Sequence, residues 1–293
     1  MREVSALTDL KIKKVNKRDK STHQLFHDEN INLNNGIKYF GLTIHNSKKR
    51  NVGGNWEIFL NNSELESRDQ FIYTALHEIG HTLGLNHDGN NSAEYYRGHG
   101  GDITWGPIMG TAYNRNVRAW IIGEYALANN TQEDDLSIIG YQFSKLTDLE
   151  GDLASPLLIQ PDSTGNLAYA GVIQNRNDVD VFQLDIPISG RLLLSAYPTT
   201  NNYYGTSYQN WGSSLNIQIR ILDHSGTVVF SNQVINRLHA EVDITLSSGS
   251  YFIEVDGAGS GDPLNSSPSG FSDYASMGAF YLSGSLPART ATA

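Results

Sequence analysis

Hydrophobic and polar positions follow different rhythms in different parts of this chain. Near the N-terminus, Leu10-Lys11-Ile12-Lys13-Lys14-Val15 and Ile37-Lys38-Tyr39-Phe40-Gly41-Leu42 alternate, with Asn and Gly turn residues from Asn30 to Gly36 between them. Such runs predict strands of one sheet. Trp56-Glu57-Ile58-Phe59-Leu60, behind the turn Gly53-Gly54, predicts another. The period then changes. Ile72, Ala75, Leu76, Ile79 and Leu83 recur at three- and four-residue spacing, which is one apolar face of a helix. Ser67 with Gln70 three residues on fits a capping box, and Gly84 is placed to stop the helix. A second helix is predicted over Gln132 to Phe143, with Leu136, Ile139 and Phe143 on one side and Glu133, Asp134 and Asp135 in its first turn.

Beyond about Leu149 the pattern becomes strand-like throughout. Leu215, Ile217, Ile219 and Ile221 alternate cleanly, as do Val242, Ile244 and Leu246, then Tyr251, Ile253 and Val255. Turn groups such as His224-Ser225-Gly226 and Ser247-Ser248-Gly249 separate them. Many short strands with regular turns predict an all-β sandwich or jelly roll. The expected organisation is an α+β domain over residues 1–150 and an all-β domain over residues 151–293.

Composition narrows the function classes. Hydrophobic residues make up 39% and charged residues 18%, which fits folded cores. No apolar run approaches the roughly 18 residues of a membrane span. The net charge of -10 is uneven: residues 1–50 carry 11 basic against 5 acidic side chains. The cluster Lys11, Lys13, Lys14, Lys17, Arg18 and Lys20 lacks interleaved aromatic residues, so it reads as a solvated strand face and turn, and nucleic-acid binding is disfavoured. The chain has no cysteine, which removes disulfides, thiolate metal sites and thiol catalysis.

The candidate chemistry lies in His77-Glu78-Ile79-Gly80-His81-Thr82-Leu83-Gly84-Leu85-Asn86-His87-Asp88. Residues four apart share a helix face, so His77 and His81 can address one ion. Glu78 can reach a water on that ion and act as its general base. Gly84 can adopt the left-handed backbone that turns the chain and lets His87 approach as a third ligand. Three imidazoles and an open position describe a catalytic zinc site, whereas a structural site is closed by four protein ligands. A motif of this length arises by chance in on the order of 10⁻⁴ such chains.

This segment resembles the metzincin zinc motif, and Asp88 directly after the third histidine resembles the adamalysin/reprolysin branch. The resemblance implies that Asp88 holds nearby structure, and that Pro107-Ile108-Met109-Gly110 is the Met-turn beneath the metal. Some metzincins add a tyrosine ligand two residues after the methionine. Here that position is Thr111, and Tyr113 lies four after, so Tyr113 reads as a pocket wall with oxyanion stabilisation as the alternative. His99, in Gly98-His99-Gly100-Gly101, reads as structural ahead of a second metal site. Gly53 to Leu60 would be the edge strand beside the cleft, where an extended substrate pairs. Met1 to Leu10 resembles the end of a backing helix, so an N-terminally truncated chain is expected. Asn177-Asp178-Val179-Asp180-Val181-Phe182, Gly249 to Val255, Gly270 to Tyr274 and Tyr281 to Gly284 resemble a bacterial pre-peptidase C-terminal domain, a kind often removed in maturation. Calcium is a candidate around Asp178 and Asp180.

The resemblance thus implies a secreted, extracellular, monomeric endopeptidase that carries Zn2+ and hydrolyses peptide bonds by a zinc-activated water, with Glu78 as base. Rival readings are a surface or matrix binding protein with a vestigial zinc site, and an amidase acting on a non-protein amide.

Overall fold

The computed structural model describes residues 23–28, 41–45, 56–61, 67–142, 151–199 and 213–286. Strands β1 (His23–Asp28), β2 (Gly41–His45) and β3 (Trp56–Asn61) form a sheet in the order β1-β3-β2. β3 runs parallel to β1 and antiparallel to β2. The stretch read as the edge strand is therefore the centre of this sheet, and β1 and β2 are each paired on one side only among the described residues. Alternation records which face of a strand is buried and carries no information about its lateral neighbours, so the sequence could not settle this. β1 was not foreseen, because its polar run HQLFHD lacks a clean alternation. The expected strand Leu10 to Val15 and the expected backing-helix remnant lie outside the described residues.

Helix α1 (Arg68–Leu83) begins and ends where its caps dictate. Ser67 is extended (φ -147°, ψ 158°), and its Oγ accepts from the Gln70 amide at 3.2 Å. Gly84, at φ 102°, closes the C-terminus: its own amide donates to the His81 carbonyl and the Leu85 amide reaches back to Gly80. One side of the helix packs on the sheet through Ala75, Phe71 and Ile79 against Ile58 and Leu60. Leu76 and Leu83, on the other side, enter a second core.

β4 (Trp105–Pro107) and β5 (Val117–Ala119) form a short parallel pair. Helix α2 (Asp135–Gln142) starts three residues later than expected, because Asp134 serves as its cap, with Oδ1 accepting from the Ser137 amide at 2.8 Å.

The remaining strands are β6 (Leu157–Ile159), β7 (Asn166–Ile173), β8 (Val179–Ile186), β9 (Gly190–Pro198), β10 (Ile217–Asp223), β11 (Val228–Asn232), β12 (Ala240–Leu246), β13 (Gly249–Gly257), β14 (Ser260–Asp262), β15 (Ser269–Phe271) and β16 (Gly278–Ser285). They build a sheet in the order β11-β10-β13-β8-β6 and another in the order β12-β9-β16-β7, with β14 and β15 as a small pair. The alternating residues Ile217, Ile219 and Ile221 are fully buried, as are Ile253 and Val255 opposite them. The described protein is thus mostly β, with few helices.

The core of this two-sheet unit is continuous with the core around α1. One cluster joins Leu76, Leu83, Met109 and Trp120 to Leu215, Phe271, Tyr274 and Phe280. Hydrogen bonds cross the same boundary. The Arg118 amide donates to the Ser213 carbonyl and the Ser214 hydroxyl donates to the Arg118 carbonyl, at 3.2 and 2.7 Å. The Tyr274 hydroxyl meets Asp134 at 2.5 Å and accepts from the Leu136 amide at 2.9 Å, tying down the start of α2. Arg176 bridges Glu124 and Asp273, each at 2.7 Å. Among the described residues, no helix is long and apolar enough to cross a membrane.

Candidate metal centre

α1 presents His77 and His81 one turn apart, and the turn at Gly84 brings His87 to them. One nitrogen from each imidazole lies within 4.8 Å of the other two. The opposite nitrogen of each ring is held. His77 Nδ1 donates to the Ile108 carbonyl at 2.8 Å and His81 Nδ1 to the Leu85 carbonyl at 2.9 Å. His87 Nδ1 donates to the Glu94 carboxylate at 2.8 Å. These bonds place the ring protons on Nδ1 and leave the lone pairs on Nε2.

The consequence is decisive for the chemistry. His81 Nε2 and His87 Nε2 face each other at 3.0 Å. Two neutral rings with their protons on Nδ1 would set lone pair against lone pair there, an arrangement relieved by a shared cation, whether a proton or a metal ion. Ligands about 2.0–2.1 Å from a tetrahedral ion lie about 3.3–3.4 Å apart, so the spacing suits a small divalent metal. Burial, and next the neighbouring His81, depresses the His77 pKa to about 3, and burial depresses that of His81. Both rings are therefore neutral around pH 7, which is the ligating form.

Below the triad lies Met109, fully buried in the turn from Pro107 to Gly110. A Cβ on Gly80 would come within 2.4 Å of its Sδ, so the glycine between the two helical histidines is what admits the methionine. The turn is fastened from several sides. The Asp88 amide donates to the Met109 carbonyl at 2.9 Å, and the Ile108 amide to the Ala119 carbonyl at 2.9 Å. Asp88 is fully buried, its Oδ1 accepting from Asn130 at 3.1 Å, and burial pushes its pKa up to about 7. The structural task implied for Asp88 is thus visible. Glu133 accepts from the Asn86 amide and side chain at 2.9 and 2.6 Å, fixing the stretch between Gly84 and His87.

Several contributors escaped the sequence reading. Tyr73 is buried and lies one turn before His77 on α1. Its hydroxyl donates to the Gly110 carbonyl at 2.8 Å, also lies 3.1 Å from that of Ile108, and accepts from the Ala112 amide at 2.8 Å. The i, i+4 spacing to His77 was the available signal. Arg118 pairs with both oxygens of Asp69 in the first turn of α1 and lies over the Tyr73 ring, 5.2 Å from its centroid. Tyr73→Phe keeps the ring contacts and strands a buried amide and a buried carbonyl. It should cost about 1–3 kcal/mol of stability, read as a lower urea midpoint at unchanged m-value. An unaltered midpoint would remove Tyr73 as the fastening of the turn.

Glu78 is buried beside the triad, with 6% of its surface exposed, and its charge raises the Tyr113 pKa behind the larger effect of burial. The Tyr113 hydroxyl is 3.0 Å from Thr74 Oγ1 on α1, and the ring packs edge-on against Tyr73. His99 stands apart from the triad. Its Nε2 donates to the Gly270 carbonyl at 2.5 Å and its Nδ1 accepts from the Tyr96 hydroxyl at 3.0 Å, so both nitrogens serve packing. Asp178 Oδ2 accepts from the Gln174 amide at 2.5 Å. Neither Asp178 nor Asp180 falls in a cluster of metal-ligating side chains among the described residues, where the triad alone qualifies.

Comparison with known families agrees with this geometry. Residues 4–121 match the Reprolysin_5 model, metallo-peptidase family M12. That segment is similar to the M12 metallopeptidases. The matched segment contains His77, His81 and His87 together with Glu78 and Met109. No curated protein matches the chain in sequence. Among solved structures, the chain is similar to the pre-peptidase C-terminal domain of a Bacillus anthracis collagenase, at 14% identity and a TM-score of 0.29, over 44% of this chain and 92% of that one. It is also similar to PliG of Aeromonas hydrophila, a periplasmic inhibitor of g-type lysozyme (14%, 0.27, 45% and 95%). A third is the Yersinia pseudotuberculosis-derived mitogen (14%, 0.26, 44% and 92%).

Proposed function

We propose that this protein is a secreted zinc endopeptidase, with an α+β catalytic domain over residues 1–150 and a β-sandwich domain over residues 151–293. The observation that carries the reading is the convergence of one nitrogen from each of His77, His81 and His87 within 4.8 Å, with the Nε2 atoms of His81 and His87 3.0 Å apart. The donor set is three imidazoles, which fits zinc with a position left for substrate and solvent.

Zinc held there supplies a Lewis acid and lowers the pKa of water from 15.7 to about 7. Glu78 takes the proton of the attacking water and returns it to the leaving amine. Tyr113, hydrogen-bonded to Thr74, forms the wall on the Glu78 side. β2, the antiparallel outer strand of the sheet among the described residues, offers main-chain groups to an extended peptide, which supports a protein substrate over a small amide.

The test is metal analysis together with hydrolysis of a denatured protein substrate. Stoichiometric zinc is expected, with cleavage abolished by 1,10-phenanthroline and restored by adding zinc back. A chain that holds zinc and cleaves no peptide would favour a binding role, and a chain that holds no zinc would end the reading.

A further inference from the structure

The three ligands are held unequally. The rings of His77 and His81 rise from a capped helix and are anchored by main-chain carbonyls. His87 lies beyond the helix, with 26% of its side chain exposed, and its Nδ1 partner is a side chain, Glu94, which is 69% exposed. The neighbouring residue Tyr95 places its ring 4.2 Å from the His87 ring and 6.3 Å from that of His77.

Local chemistry explains why two consecutive residues return to the same histidine. Asn90 Oδ1 accepts from the amides of Ser92 and Ala93 at 3.0 and 2.9 Å, which curls the chain. The Tyr96 amide then donates to the Asp88 carbonyl at 2.7 Å and closes the loop. Asp88 is itself bonded to Met109. Glu94 and Tyr95 thereby reach His87 from a loop pinned at both ends, one at its edge nitrogen and one through a tilted ring contact.

We infer that Glu94 and Tyr95 are positioning residues that clamp the third ligand and set how tightly the metal is held. The inference rests on the zinc reading above. A carboxylate on the distal nitrogen fixes the tautomer and makes the ligating nitrogen a stronger donor. The Tyr95 ring restricts rotation of an imidazole that no helix restrains. The loop is therefore where the affinity of this site for a divalent cation is tuned.

The experiment compares wild type, Glu94→Ala, Glu94→Gln and Tyr95→Ala in the full chain. Zn2+ affinity is read by competition with a chromogenic chelator, the ligand field by the visible spectrum of the Co2+ form, and apo stability by urea unfolding. Glu94→Ala should weaken Zn2+ about 10–100-fold and alter the Co2+ band. Glu94→Gln, which keeps an acceptor and loses the charge, should fall between, and Tyr95→Ala should also weaken the ion. Because Glu94 is exposed, the apo midpoint should stay in place. Zn2+ affinity of Glu94→Ala within twofold of wild type would overturn the clamp, as would a loss matched by an equal fall in apo stability. If wild type itself binds no Zn2+, the zinc reading fails first, and that result is distinct from either.

Discussion

Glu78→Gln should lower kcat/KM for peptide hydrolysis by about 10²–10⁴-fold and leave zinc bound at the wild-type level. The reason is a division of labour along one helical turn. His77 and His81 point one nitrogen each toward the metal position, and the held Nδ1 atoms fix those rings independently of residue 78. Glu78 is buried next to them and shares its electrostatic surroundings with Tyr113. Glutamine has nearly the same shape and can accept no proton at neutral pH, so packing survives and proton transfer does not. Metal content by mass spectrometry and initial rates on a quenched peptide check this. Full activity in Glu78→Gln would remove the carboxylate from the mechanism. Loss of zinc in the same variant would instead make it part of the metal scaffold.

A chain ending at residue 150 should fail to assemble the metal centre. The two-sheet unit is coupled to it by a continuous path. Ser213 and Ser214 hold the backbone of Arg118, Arg118 holds Asp69 at the start of α1, and the Arg118 guanidinium covers Tyr73, which fastens the turn that holds Met109. Tyr274 separately caps α2. Each such hydrogen bond contributes about 1 kcal/mol net, and exposing the shared core adds the loss of apolar burial. Against a typical total of about 5–15 kcal/mol, the combined loss is severe. Expression of residues 1–150 should give insoluble or zinc-free protein, followed by circular dichroism and metal analysis of any soluble fraction. A soluble fragment with stoichiometric zinc would show that the C-terminal unit is separable.

Much of α1 was readable in advance, because its information is local. Ser67, Gln70 and Gly84 act within one turn of the residues they cap, and the three- and four-residue spacing of apolar side chains fixes which face is buried. The same locality made His77 and His81 legible as a pair. Met109 was legible through its turn-forming neighbours and its distance from the zinc motif. The strands β10, β12 and β13 followed from alternation alone. Glu94 and Tyr95 carried no signal: an acid and an aromatic in a polar loop look like solvent-facing residues until the loop is seen to close. The place of β3 at the centre of its sheet was equally hidden, since lateral pairing involves residues far apart in the chain.

By itself, the sequence determined the helix that carries His77 and His81, its endpoints and the run of strands that follows, because each depends on contacts within a few residues or on the period of burial. Only the tertiary structure decided which nitrogen of each histidine faces the other two rings, what orients His87, which strands lie outermost in the first sheet among the described residues, and that one core joins the two parts. Those outcomes depend on partners brought together from distant parts of the chain, and no local rhythm of side chains encodes who those partners are.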